Sequence, residues 1–247
     1  MIERALVICL SAFLLGGVGL YVASRRVEPT VRRNRLIKFV TYFCIVNLVV
    51  VGAMAEHWIF SGIVLLIAAL GELEIHRALH STGGGPLYLK PGISAVYRAI
   101  AVGAILFAWT SRPEKSVFVY LIVCAFDGFS QVTGQMLGRH QLAPTISPGK
   151  TVEGSLGGLI AAVGMGVLLR PIVGWDAQRA LLACCFIAVA GLAGDLLASA
   201  VKRRCGIKDF GNLLRGHGGV LDRFDSFLFA SATWFFAAAF VQWFGVA

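Results

Sequence analysis

The sequence predicts an all-α, polytopic integral membrane protein with about eight transmembrane helices, on three observations. Of its 247 residues, 57% are hydrophobic and only 14% charged, more apolar side chain than one water-soluble core can bury. The apolar residues fall into runs close to the ~20 residues that a helix needs to cross a bilayer. The Lys and Arg residues collect between alternate runs, the bias that sets orientation in a membrane.

The runs lie at 5–23, 39–55, 58–75, 96–111, 116–135, 154–172, 179–198 and 226–246. The first is preceded only by Glu3 and Arg4 among charged residues and has no small-residue cleavage site before the arginines, so it is expected to be a retained span and not a signal peptide. Glycines interrupt several runs and Asp127 lies well inside the fifth, so one or two helices are expected to be broken or re-entrant. Cys9, Cys44, Cys124, Cys184 and Cys185 sit in apolar runs without a Cys-x-x-Cys pair and read as small core residues. There is no internal repeat, no low-complexity tract and no linker long enough to set off a soluble domain, so 1–247 reads as a single transmembrane domain.

The segment "RRVEPTVRRNRLIK" fixes the orientation. If it is cytoplasmic, alternation also places the segments around 75–98, 135–152 and 198–225 inside, and 17 of the 22 Lys and Arg fall on that side. The other side keeps Arg4, Arg112, Lys115, Arg170 and Arg179, and an even number of spans puts both termini there. The net charge of +9 needs no nucleic-acid partner; topology and anionic headgroups account for the first basic segment, but not for the last.

Two of the inner segments mix cations with glycine and carboxylates. In "ISPGKTVEG", Ser147, Lys150, Thr151 and Glu153 open the sixth span, where free backbone amides and Lys150 could hold an anion. "PGKT" resembles the tail of a phosphate-binding P-loop, but position 144 is Pro, the first glycine of that spacing is missing, and no buried strand precedes it. In "KRRCGIKDFGNLLRGHGGVLDRFDS", Asp222 and Asp225 are three apart and share a helical face if the last span begins there, with Asp195 able to approach from the preceding span. Three carboxylates suit a hard cation such as Mg2+. Lys202, Arg203, Lys208, Arg215 and Arg223 could neutralise a triphosphate, and Gly216, Gly218 and Gly219 could turn backbone amides toward an anion. The blander reading of the Asp-Arg-x-Asp run is an interfacial salt-bridge cluster. Ser199-x-x-Lys202 also fits the S-x-x-K pattern of penicillin-binding enzymes, but without its companion elements. His217 reads as a general base or a turn residue; His57, His76, His80 and His140 have no metal-ligand spacing.

Taken together, Ser199-x-x-Lys202-Arg203, Lys208-Asp209-x-Gly211 and Gly216-His217-Gly218-Gly219-x-x-Asp222-Arg223-x-Asp225 closely resemble the signature of the phosphatidate cytidylyltransferase (CDP-diacylglycerol synthase) family. Gly194-Asp195, the Ile146–Gly154 element and Glu74 in "ELEIHRAL" reinforce the resemblance, which is strong over 124–230. Ala198 and Arg215 depart from the family's usual Glu and Pro, and "DGFSQVTGQ" from its usual Asp-x-x-Ala-Tyr. The resemblance implies variable N-terminal spans over 1–95 and a catalytic region over 120–230. It also implies a polytopic enzyme, usually a homodimer, that uses CTP and Mg2+, alone or with a second cation, to turn phosphatidic acid or a related lipid phosphate into CDP-diacylglycerol and pyrophosphate. The expected roles are catalytic for Lys202, Arg203, Lys208, Asp209, His217 and Arg223. Substrate binding falls to Ser147, Lys150, Thr151, Glu153, Ser199, Gly216, Gly218, Gly219 and Asp127, and metal binding to Asp195, Asp222 and Asp225. The expected setting is a bacterial inner membrane with the site facing the cytoplasm. The competing expectations are a CTP-dependent transferase or kinase acting on an isoprenoid or unusual lipid, and an ion-coupled anion transporter.

Overall fold

The computed structural model describes residues 2–25, 27–81, 90–211 and 218–243. Among these, eight helices are long and apolar enough to cross a membrane. They are α1 (Ile2–Ala23), α2 (Pro29–Ala55), α3 (His57–His80), α4 (Lys90–Thr110), α5 (Pro113–Leu137), α6 (Val152–Val173), α7 (Ala177–Arg204) and α8 (Leu221–Trp243). One antiparallel hairpin, β1 (Gln141–Ala143) with β2 (Ser147–Thr151), precedes α6. The protein is thus a polytopic all-α membrane protein with a small β addition. None of the eight is a broken helix: α5 passes through Asp127 without interruption, which corrects the expectation of broken spans. Backbone hydrogen bonding inside the helix is satisfied whatever the side chain is, so one half-buried carboxylate does not break it.

Several helices outrun their apolar cores on the basic side. The 27 residues of α2 extend about 40 Å at 1.5 Å per residue, beyond the ~30 Å hydrocarbon layer. Its excess is the Pro29–Lys38 end with Arg32, Arg33, Arg35 and Lys38. Arg35 folds back to donate to the Ala23 carbonyl at 3.1 Å, satisfying the last turn of α1. Pro29 opens α2 where no amide is needed. The outward faces stay greasy: Leu14 is 72% exposed and Ile160 74%, tolerable against lipid and not against water.

The contacts divide the chain into two compact units, neither contiguous in sequence: Met1–Ala55 with Pro113–Ala188, and Glu56–Arg112 with Val189–Ala247. In the first, α5 is the centre, buried continuously from Ser116 to Val123 and packed on α6. Glycines set that approach. A Cβ at Gly158 would lie 2.6 Å from the Phe126 carbonyl oxygen and still closer to Ser130 Oγ, and one at Gly157 would strike Thr133. Without a hydrophobic drive between helices in lipid, such close backbone contact is what holds them. Phe13 of α1 adds an edge-on ring contact to Phe43 of α2 at 4.9 Å.

The second unit packs α3, α4 and α8 together with the end of α7. Gly103 of α4 faces Ala232 and Phe236 of α8, and Gly71 of α3 leaves room for Tyr97, whose hydroxyl donates to the Ala68 carbonyl at 2.8 Å. Phe60 and Phe227, both fully buried, meet edge to face. Gly194 of α7 lies against Phe229 and the Asp225 carbonyl of α8.

Gly158→Ala places a methyl group against a backbone carbonyl that cannot rotate away. It is expected to cost about 1–3 kcal/mol, read as a lower melting temperature in detergent. Gly164→Ala, where a Cβ meets nothing within 4 Å, is the control and should leave it unchanged.

Candidate active site

The second unit carries a polar site at the joint between α7 and α8. The end of α7 is set by its sequence: Lys202, Arg203 and Arg204 place positive charge at the negative end of the helix. Gly206 then stops it with φ of 68°. Gly206 N donates to the Arg203 carbonyl and Ile207 N to the Lys202 carbonyl, the paired bonds of a glycine-terminated helix. The chain is thereby turned toward Lys208, Asp209 and Phe210.

Asp222, in the first turn of α8, gathers that joint. One oxygen accepts from Lys202 Nζ at 2.7 Å; the other accepts from Phe210 N and Gly219 N, each at 2.8 Å. The pair is out of water, with the Asp222 side chain 4% exposed. Lys202 Nζ also lies 5.2 Å from the Phe210 ring centroid, so the ammonium meets a π face as well as a carboxylate. Phe210 and Gly219 share one oxygen atom, and this pins two points nine residues apart in sequence. Gly218 makes the turn possible: its φ is 83°, and a Cβ there would lie 2.9 Å from Asp222 Oδ2.

A second carboxylate reaches the same place from α3. Glu74, 5% exposed, accepts from Val220 N at 2.9 Å and Leu221 N at 2.8 Å, the amides that open α8. Gly211 and Gly219 lie directly under it, and a Cβ on either would come within 2.6 Å or 2.4 Å of its oxygens.

The first unit holds a separate polar group around the hairpin. Thr151 caps α6, its hydroxyl accepting from Gly154 N at 3.1 Å. Glu153 turns back, accepting from Arg139 N at 3.0 Å and His140 N at 3.2 Å and pairing with the His140 ring. Ser147 and Lys150 are half-buried in β2. Asp127 is half-buried in α5.

A sequence model of the cytidylyltransferase family matches residues 86–242. The chain belongs to the cytidylyltransferase family. It is similar to the phosphatidate cytidylyltransferase of Staphylococcus saprophyticus, 43% identical over 115 residues that are 46% of this chain and 44% of that one. It is also similar to that of Staphylococcus aureus, 40% identical over 129 residues and half of each chain. The uncharacterized protein YnbB of Escherichia coli K12 is 45% identical over 152 residues, 58% of this chain and 50% of its own. The chain thus spans about half the length of the curated relatives it matches.

Within this family member the expected site residues divide into three groups. Ser199, Lys202, Arg203, Lys208, Asp209, Gly218, Gly219, Asp195, Asp222, Arg223 and Asp225 all belong to the second unit, on or beside the α7–α8 joint. Ser199 donates to Asp195 at 3.3 Å, and Arg203 to the Ile207 carbonyl at 3.3 Å. Ser147, Lys150, Thr151, Glu153 and Asp127 belong to the first unit. Arg215, Gly216 and His217 lie outside the described residues.

Three expectations change in detail. The Gly219 amide turns to Asp222 and not outward, because a protein carboxylate sits within its reach. Thr151 and Glu153 are spent on capping α6 and latching the hairpin to residues 139–140, so the start of α6 is not an open row of amides. Asp195, Asp222 and Asp225 do not form a three-carboxylate metal group: among the described residues, no three His, Cys, Asp or Glu come together in that way. The reason is that both Asp222 oxygens face inward to Lys202 and two amides. Asp195 and Asp225, half-buried on the closely apposed α7 and α8, still offer the hard oxygen donors that Mg2+ prefers. Glu74 was legible only as part of a motif; its contact partners lie 146 and 147 residues away, beyond any local pattern.

The geometry orders the cost of breaking the central pair. Asp222→Leu strands a buried ammonium and two amides and is expected to cost about 3–5 kcal/mol. Lys202→Met leaves Asp222 with its two amide donors and should cost less, about 1–3 kcal/mol. Chemical denaturation in detergent of both variants and the double variant checks this. Equal losses, or a double variant worse than Asp222→Leu, would show that the pair does not hold the joint.

Proposed function

We propose that the chain is a membrane nucleotidyltransferase that makes CDP-diacylglycerol and pyrophosphate from CTP and phosphatidic acid. The observation that carries this reading is the α7–α8 joint: among the described residues of the family signature, Lys202, Phe210 and Gly219–Leu221 are gathered on the carboxylates of Asp222 and Glu74. It leaves Lys208 and Asp209 exposed beside them, and the relatives matched include proteins named phosphatidate cytidylyltransferase.

In the reaction an oxygen of the lipid phosphate forms a bond to the α-phosphorus of CTP. The bond from that phosphorus to the oxygen bridging to the β-phosphorus breaks, and pyrophosphate leaves with the electron pair. A phosphate monoester is already largely ionised near neutral pH, so no strong general base is required, and the work is to bring two anions together. Lys208, Arg203 and Arg223 serve the triphosphate, arginine through paired donors and lysine as a compact charge. Lys202 is committed to Asp222 and sets the position of its neighbours. Asp195 and Asp225 would hold Mg2+, with phosphate oxygens completing its shell; bound there, the ion would offset charge on the leaving group. Asp127, Ser147 and Lys150 keep the substrate-binding role that the family resemblance implies for them. The protein acts as a homodimer in a bacterial inner membrane, with CTP arriving from the cytoplasm.

Asp195→Asn and Asp225→Asn are each expected to lower turnover ~100-fold or more with membrane insertion unchanged. Lys208→Ala should raise the CTP requirement and leave the phosphatidate dependence as it was. Purified protein with labelled CTP, Mg2+ and a panel of lipid phosphates, followed by lipid extraction, reads all three. No label in any lipid, together with anion movement across vesicles, would replace the enzyme reading with the carrier one.

Orientation is tested apart from activity. Cysteines introduced at Gly149, which has open space around it, and at the exposed Arg204 should both resist an impermeant thiol reagent in intact cells. Labelling of either from outside would overturn the cytoplasmic placement.

A further inference from the structure

We propose that Glu74 is a positioning residue for nucleotidyl transfer, holding the first turn of α8, and with it Arg223 and Asp225, at a fixed place. This rests on the reaction proposed above.

Glu74 is buried in α3, far in sequence from the signature, yet both of its oxygens are used by backbone of the signature itself. A helix begins with amides that have no partner within it. At the entry to α8, protein groups take the amides of Gly219 (Asp222), of Val220 and Leu221 (Glu74) and of Arg223 (the Val220 carbonyl). One carboxylate bridging two consecutive amides fixes their direction as well as their position, since rotating it would lengthen one bond. The negative charge also lies at the positive end of the α8 dipole. Only glycine fits beneath it at 211 and 219, where the backbone comes within van der Waals contact of the carboxylate and of itself. Glu74 thereby locks two stretches of the signature, at Gly211 and at Gly219–Leu221, onto α3.

Two consequences separate positioning from mere capping. A neutral isostere at 74 keeps the volume but turns one amide group donor-to-donor against a backbone N–H, so the joint loosens while the packing of α3 stays. Val220 precedes α8, and Thr there has nearly the same shape and supplies its own hydroxyl cap. It restores the helix end but not the tie to α3.

The experiment uses full-length protein in detergent or nanodiscs: wild type, Glu74→Gln, and Glu74→Gln with Val220→Thr. Hydrogen exchange is read on peptides covering 218–225, and turnover is read against CTP and phosphatidate separately. Glu74→Gln is expected to speed exchange in 218–225 about 10-fold, the effect of losing one charge-assisted bond, with little change elsewhere. Its kcat should fall at least ~10-fold while the KM for phosphatidate stays the same. Adding Val220→Thr should recover the melting temperature but not kcat. The proposal is overturned if Glu74→Gln exchanges like wild type over 218–225, or if the double variant regains wild-type kcat. Should wild type itself transfer no nucleotide, the functional reading fails, and the exchange measurement still decides whether Glu74 holds α8.

Discussion

A carboxylate kept from water by one ammonium and two backbone amides governs the polar end of the second unit. An uncompensated charge in so dry a place costs several kcal/mol, and these donors offset that cost for Asp222. Each donor comes from a different stretch: Lys202 from the last turn of α7, Phe210 from the segment after it, Gly219 from the approach to α8. Their shared acceptor turns three separate pieces of backbone into one. Gly206 ends α7, and Asp222 then ties Phe210 and the left-handed turn at Gly218 to the start of α8.

The membrane imposes the same accounting on the spans. Hydroxyl groups inside helices donate back to their own backbone: Ser61 to the His57 carbonyl, Thr110 to Leu106, Ser231 to Phe227 and Thr233 to Phe229. Longer side chains serve a neighbouring helix, as Tyr97 does for Ala68 and Tyr42 for Cys124 within their respective units. Among the described residues, the buried side-chain atoms left without a partner are Glu72 Oε2 and Ser130 Oγ. Glu72 still receives Arg98 on its other oxygen, at 2.7 Å.

What the sequence made legible follows from this division. Spans are a matter of composition over twenty residues, so their number and approximate ends were readable, while α8 begins at Leu221 and not near 226 because the polar first turn is held by Glu74 and Asp222. The signature was readable as a set of residue types at fixed spacing, and those on the second unit do collect at one joint. Which carboxylate meets which donor was not: Asp222 and Asp225 have the spacing to share a helical face, but Asp222 is claimed by partners 12 and 20 residues back. The hairpin escaped notice for a similar reason. Its strands are three and five residues long, with no alternation of apolar and polar residues, and Glu153 ties their base from the following helix.

Each unit has one helix, α6 in the first and α8 in the second, whose N-terminal amides are taken by protein groups, and on the proposed reaction this bears on how a charged nucleotide would be met. The start of a helix is a ready anion site when its amides are open. At α6 the Gly154 amide belongs to Thr151, and at α8 the Val220 and Leu221 amides belong to Glu74, so these amides are not available to a triphosphate. On the proposed reaction, recognition of the triphosphate would rest on side-chain cations and on Mg2+ held by the aspartates. Side-chain cations on a flexible stem adapt to an anion arriving from water or from the bilayer surface, whereas rows of amides demand one fixed geometry. The rigid part of the site is accordingly assigned to Glu74 and Asp222, which hold backbone, and the adaptable part to Lys208, Arg203 and Arg223, which the rigid part carries.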